Sequence, residues 1–332
     1  MSAETSVSLA QMLDDLERGS ATKRSRPMRT FPTGYQPLDH VLNGGLRAHD
    51  LTVLGGAPAV GKTVMALQWA RNMALNGATV LYICYEHDEA DLLARLLMLE
   101  IGQVEANKAE GIEPNRLRTA IFSAVNGHSN LRDVLEDGEV IAAAHDRLGG
   151  YADRLHLVRA TPSRTGLQDI EQMLIARKGA PAVVFVDYLQ KIRAGNAHGS
   201  EADRITAAAE GLKEIALHHD AAVIAITAAD MSNGVAGRLR MKHLRGAGPI
   251  GYESDVVLML NEKTTAVSRV HLAYDSLQAK AAQDRVVISI EKNRGGPSDL
   301  HVEHRKDFAH FRFDPDGHYV SERLADDGVH LS

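Results

Sequence analysis

One cysteine, Cys84, stands in a chain of 332 residues. That excludes a disulfide framework and a cysteine-rich zinc site, and it suits a reducing compartment. Long apolar runs are missing as well. The most apolar stretches, 51–55, 183–186 and 221–229, fall far short of the ~18 residues that a membrane-spanning helix needs. Asp14, Asp15 and Glu17 stand where a secretory signal would be apolar. Positive charge is not in excess: 37 Lys and Arg against 43 Asp and Glu leave a net charge of −6, so any anion site must be local. A soluble, cytoplasmic protein without a membrane partner is expected.

With 44% hydrophobic and 24% charged residues the chain can bury a substantial core. Residues 1–30 are polar apart from one patterned piece. Ser8 followed by Gln11 reads as a capping box, and Leu9, Met12, Leu13 and Leu16 share one face of a helix over 8–18. A helix of about three turns with one apolar stripe does not stay folded alone, so it should dock on its own core or on a neighbouring subunit. Lys23, Arg24, Arg26 and Arg29 read as a solvated linker or as a phosphate-contacting arm. From Leu51 onward, apolar runs predict strands at 51–54, 79–84, 155–158, 182–186, 221–226, 256–260 and 286–290. Helices are predicted at 62–76, 89–101, 167–178 and 202–219. Short apolar strands alternating with helices predict an α/β fold, a mainly parallel twisted sheet with helices on both faces. Residues 102–150 carry no assigned role, and from about Asp314 the chain reads as a flexible acidic tail over 316–332.

The strongest chemical signal is Gly56-Ala57-Pro58-Ala59-Val60-Gly61-Lys62-Thr63, a G-x-x-x-x-G-K-T between a strand and a helix. Glycines let backbone N–H groups wrap phosphate oxygens, and the helix N-terminus adds partial positive charge. Lys62 would reach the β- and γ-phosphates of ATP, and the Thr63 hydroxyl would ligate Mg²⁺. Asp187, closing the apolar run 182–186, fits the second metal-orienting carboxylate, with a simple capping role as the bland alternative. Tyr188 follows it and cannot act as a base. Glu86, just past the strand 79–84, could polarise an attacking water; from its position alone it reads equally well as a surface acid. Asp88 and Glu89 read as helix-capping charges.

Together these residues resemble the C-terminal ATPase domain of DnaB-type replicative helicases, a RecA-like P-loop family, over 31–315. The approach from Pro32 to Gly56 and the segment Val186-Asp187-Tyr188-Leu189-Gln190-Lys191-Ile192 are similar to that family's. The resemblance makes Glu86 the catalytic base. It also implies that Lys292 and Arg294, in Glu291-Lys292-Asn293-Arg294-Gly295-Gly296-Pro297, reach the γ-phosphate held by an adjacent subunit. Residues i and i+2 of an extended chain point the same way, which suits one shared target. The stretch between Asp230 and Glu253 has no acid but carries Arg238, Arg240, Lys242, His243 and Arg245. It aligns with the family's loop that tracks single-stranded DNA, with Arg245 and Gly248 on matching positions; the bland reading is a disordered surface loop. A homo-oligomer, hexameric by resemblance, follows.

Departures stand beside the likeness. Thr227-Ala228-Ala229 replaces a Ser-Gln sensor, Gly246 replaces an acid, and no counterpart of the family's N-terminal collar precedes the core. Action other than primase-coupled replication is therefore expected. RadA-like and KaiC-like proteins share single segments but bring additional domains. A reading from a different class remains: an ATP-switched regulatory or assembly ATPase that binds a protein partner without unwinding DNA. His218 and His219 read as helix-terminal surface residues, and Trp69 as packing.

Overall fold

A computed structural model describes residues 7–18, 29–105, 114–130, 138–177, 182–194, 199–230, 237–267 and 276–325. In chain order the strands are β1 Thr30–Phe31, β2 Leu46–Arg47, β3 Leu51–Gly56, β4 Thr79–Cys84, β5 Leu155–Arg159 and β6 Ala182–Asp187. They continue with β7 Ala221–Ala228, β8 Val256–Glu262, β9 Arg285–Asn293, β10 Leu300–Asp307, β11 Arg312–Phe313 and β12 His318–Tyr319. The helices are α1 Leu9–Glu17, α2 Leu38–Val41, α3 Lys62–Leu75, α4 Glu89–Glu105, α5 Pro114–Val125 and α6 Glu139–Gly149. After them come α7 Leu167–Ile175, α8 Glu201–His219, α9 Ala247–Glu253, α10 Lys263–Ala266 and α11 Ser276–Gln283. No helix among the described residues is long and apolar enough to cross a membrane.

One 10-stranded sheet runs β11-β10-β9-β8-β3-β7-β6-β4-β5, with β12 added on β10. From β8 to β5 all neighbours are parallel, and β9 and β10 extend the sheet antiparallel. Every residue of β3 and β6 is buried, as expected of strands covered on both faces. One core layer packs Trp69, Tyr35, Tyr82 and Phe185 under α3, with Tyr35 edge-on to Trp69 at 6.0 Å. The other packs Val184 and Val186 against Leu174 of α7 and Leu212 of α8.

The stretch 102–150, where described, is helical. Leu117 and Ile121 of α5 and Ile141 of α6 bury against Leu97 and Ile101 of α4. Glu100 fastens this layer to α3, accepting from Arg71 at 2.5 Å and 2.7 Å, from Arg147 at 3.0 Å and from the Tyr151 hydroxyl at 2.9 Å. Breaking one member of such a buried charged network strands the others in a dry site.

The sheet continues through β10, a segment to which the sequence pattern assigns no element. One expectation is corrected, since the chain beyond Asp314 is held: β12 pairs Val302 with Tyr319 and Glu303 with His318, and Ala325 N–H donates to Ala266 at 2.8 Å. The reason is buried Lys263, whose ammonium takes Glu303 and Glu322 as counter-charges, Glu322 at 2.7 Å. Residues 326–332, and Lys23, Arg24 and Arg26 of the proposed arm, lie outside the described residues. Helix α1 forms with its Ser8–Gln11 capping box, while its stripe stays exposed: Leu9 at 73%, Leu13 at 51% and Leu16 at 72%.

Candidate nucleotide site

The parallel register brings the carboxyl ends of β3, β4, β6 and β7 together. Gly56 pairs with Ala228, and Cys84 with Asp187. Glu86, two residues past Cys84, therefore emerges beside Asp187, and Tyr85 N–H locks the two ends by donating to Asp187 O at 2.7 Å. Between β3 and α3 the loop must turn sharply. Gly61 caps α3 at φ +100°, and a Cβ there would lie 2.7 Å from Phe313 Cζ, so only glycine fits.

A cavity of about 840 Å³ is lined by Lys62, Thr63, Glu86 and Asp187. Lys62 Nζ donates to the carbonyls of Gly56 at 3.1 Å and Ala57 at 2.7 Å, holding the loop closed on itself. Burial lowers the Lys62 ammonium from its ordinary value, opposed by the charges of Asp187 and Glu86. Asp187, 1% exposed, accepts from the Tyr82 hydroxyl at 3.2 Å, and the Thr63 hydroxyl lies near enough to favour its charged form. Burial raises its carboxyl; Thr63 pulls it down and the charge of Glu86 pushes it up. Two nearby carboxylates thus share one cavity with the cations Lys62, Arg95, Arg118 and Arg245.

Lys292 and Arg294 do not line this cavity. They point the same way along β9, as their spacing requires, but onto their own chain. Lys292 Nζ donates to the carbonyls of Gly251 at 2.7 Å and Ser254 at 2.5 Å. Arg294 donates to Tyr252 O at 2.8 Å and pairs with Asp255 at 3.1 Å. Burial and Arg294 lower the Lys292 ammonium.

The described part of the basic segment begins at Gly237, and its charges are partly answered by acids from elsewhere. Arg238 is only 2% exposed and lies 3.3 Å from Glu291, so it is a buried structural cation and not an open phosphate contact. Arg240 bonds the same carboxylate at 3.0 Å, and Arg245 lies 3.6 Å from Glu201. Lys242, Arg245 and Gly248 are exposed. Gly246 sits at φ +85°, where a Cβ would meet Ile205 at 2.4 Å; an acidic side chain has no room there.

Sequence reading gave no site role to Gln190, Arg118 or Arg95, which line the cavity, Arg95 with its guanidinium 4.8 Å over Phe311; Arg245, read as a DNA contact, lines it as well. Gln190 lies in a segment already singled out; Arg95 gives no sequence signal beyond its place on α4.

A glycine loop between a buried strand and a helix, with a lysine, a hydroxyl and two strand-end carboxylates around one cavity, defines a RecA-like P-loop nucleotide site. The family model described as DnaB-like helicase C terminal domain matches residues 30–313, and the chain belongs to that family. It is 27% identical over 298 residues to the replicative DNA helicase DnaB of Rickettsia bellii, covering 83% of this chain and 56% of that protein. To the replicative DNA helicase DnaC of Bacillus subtilis it is 26% identical over 300 residues, covering 87% and 57%. The chain thus spans little more than half the length of these relatives. Among solved structures, a DnaB-like replicative helicase described with its interactions with primase shares the fold with a TM-score of 0.68 at 20% identity, covering 93% of this chain and 68% of that one.

Proposed function

We propose that the chain is a cytoplasmic Mg²⁺-dependent ATPase that assembles as a hexameric ring and binds or moves along single-stranded DNA. The observation that carries this is the division of the site: Lys62, Thr63, Glu86 and Asp187 share one cavity, while Lys292 and Arg294 lie outside it. A second copy supplies the missing cations. The exposed stripe of α1 docks on that neighbour, which gives its leucines the cover they lack within one chain.

The donor set fits a magnesium ion. Thr63 lies beside Asp187, and Glu86 adds negative charge nearby. Among the described residues no cluster of three or more His, Cys, Asp or Glu could hold a metal ion, so phosphate oxygens and water would have to complete the shell. Thr63 and Asp187 would hold the ion, which would supply positive charge beside the phosphates. Lys62 exchanges its loop carbonyls for phosphate oxygens. Glu86 takes the proton of the attacking water. Arg294 and Lys292 of the adjacent copy meet the charge that develops on the γ-phosphate. Arg240, Lys242, Arg245 and Gly248 contact the DNA backbone.

ATP turnover with and without a single-stranded oligonucleotide, over a salt series, tests the reading. Stimulated turnover and salt-dependent binding are expected. Absence of binding at low salt leaves the second reading, an ATP-switched ring that holds a protein partner. The capture of Arg238 and Arg240 by Glu291 favours that second reading.

A further inference from the structure

Three residues past Asp187, Gln190 occupies a short turn, Leu189–Lys191, and lines the cavity that Lys62 and Glu86 share. Its side-chain amide donates to acceptors on two different elements: the Thr227 hydroxyl, fully buried on β7, and the backbone carbonyl of Arg245 at 3.3 Å. The carbonyl of Arg245 can only accept, which fixes the amide with its NH₂ toward that segment and its Oε1 away. Gln190 Oε1 is buried and has no hydrogen-bond partner. A buried acceptor without a donor calls for an explanation. Gln190 itself lines the cavity, so a group that fills the cavity is the natural source of a donor.

The connection continues beyond Arg245. Its N–H donates to Ala228 O at 3.1 Å, so the residue is gripped through both its amide and its carbonyl. Helix α9 begins two residues later, and carbonyls at and just beyond its far end hold Lys292 and Arg294. On β7 itself only alanines follow Thr227, so the side chain that spans sheet and basic segment comes from the turn after the neighbouring strand β6.

We propose that Gln190 is a positioning residue that couples the contents of the nucleotide cavity to the basic segment 237–248. Water ordered by a bound triphosphate donates to Oε1, the amide turns to meet it, and its hold on the Arg245 carbonyl changes. The proposal rests on the ATPase reading above and does not need DNA.

Hydrogen exchange of the amides of 239–248 in the full chain tests it, with no nucleotide, with ADP and with a non-hydrolysable ATP analogue at saturation. In the wild type, exchange at Arg245 should differ by about fivefold or more between the empty and analogue-bound states. Gln190→Glu keeps the shape and removes both donors, so the difference should fall below about twofold. Thr227→Val loosens the amide from behind without touching the cavity lining. It should shrink the difference too, and it serves if the glutamate charge impairs analogue binding. Thermal midpoints and analogue affinity establish that each variant is folded and filled. A difference undiminished in both variants overturns the proposal, and so does a wild type whose 239–248 amides ignore the nucleotide. Oligonucleotide binding, followed in parallel, judges the DNA reading separately: its failure leaves the exchange result to decide Gln190.

Discussion

The P-loop end of the sheet and the β9 end hold their charges differently. Around the P-loop they share one cavity: Tyr82 bonds Asp187, and Lys62 rests on the carbonyls of Gly56 and Ala57 within the field of Asp187 and Glu86. At the end of β9, away from that cavity, Lys292 and Arg294 bond backbone carbonyls around the C-terminal end of α9 and the carboxylate of Asp255. Such carbonyls carry partial negative charge, so they stand in for the phosphate oxygens proposed as the working partners. Under the proposed function, Lys62 would give up its carbonyls to a nucleotide bound in its own cavity, and Lys292 and Arg294 would give up theirs to one bound by a neighbour.

The sharpest way to break this comparison is Arg294→Ala. Turnover of the assembled protein should fall by about 10³-fold or more, and mixtures with wild type should lose activity faster than in proportion to the variant. A strictly proportional loss in a mixing titration would return the arginine to its own subunit. Next comes Glu86→Gln, with turnover reduced by about 10²–10³-fold while a fluorescent nucleotide still binds. Equal turnover would remove Glu86 from the chemistry. Lys242→Ala is smaller: the slope of log affinity for an oligonucleotide against log salt should drop by about 1. An unchanged slope would place the DNA elsewhere.

The smallest effect concerns the charges behind Arg294. Burial and the neighbouring Asp255 raise the Asp50 carboxyl to about 6. A raised carboxyl favours the native state while protonated. Its stability contribution is complete below the unfolded value of about 3.9 and is lost as pH climbs through the folded value. Asp50→Asn should therefore flatten the stability profile between about pH 4 and 7 and gain about 1 kcal/mol at pH 8, allowing for partial exposure. A decline as steep as the wild type's in chemical denaturation would exclude Asp50.

The same contrast explains what could be read in advance. Strands β3, β4, β6, β7 and β8 announce themselves because burial on both faces demands unbroken apolar runs. The P-loop and Asp187 do so because phosphate chemistry fixes their spacing. β10, Leu-His-Val-Glu-His-Arg-Lys-Asp, hides because two of its three buried residues are polar: Glu303, paired with Lys263, and His304, which packs on Tyr35 at 4.8 Å. Arg238 misleads because sequence displays its charge but not Glu291, 53 positions away. Gln190 escapes notice for the same reason, its acceptors lying 37 and 55 positions on. The tail misleads because the demand of Lys263 for counter-charge is invisible until its burial is known.

Cys84 makes the molecule easy to watch. The lone thiol is fully buried at the end of β4, receives the His87 amide at 3.3 Å, and is pushed up to about 11 by burial. Maleimides and iodoacetamides attack thiolates, so the native chain offers them little to react with near neutrality. Lys242→Cys, or Arg18→Cys beside the exposed stripe, would then be the single labelling position on the protein. Dyes placed there could follow loop motion and subunit docking without first removing a natural cysteine.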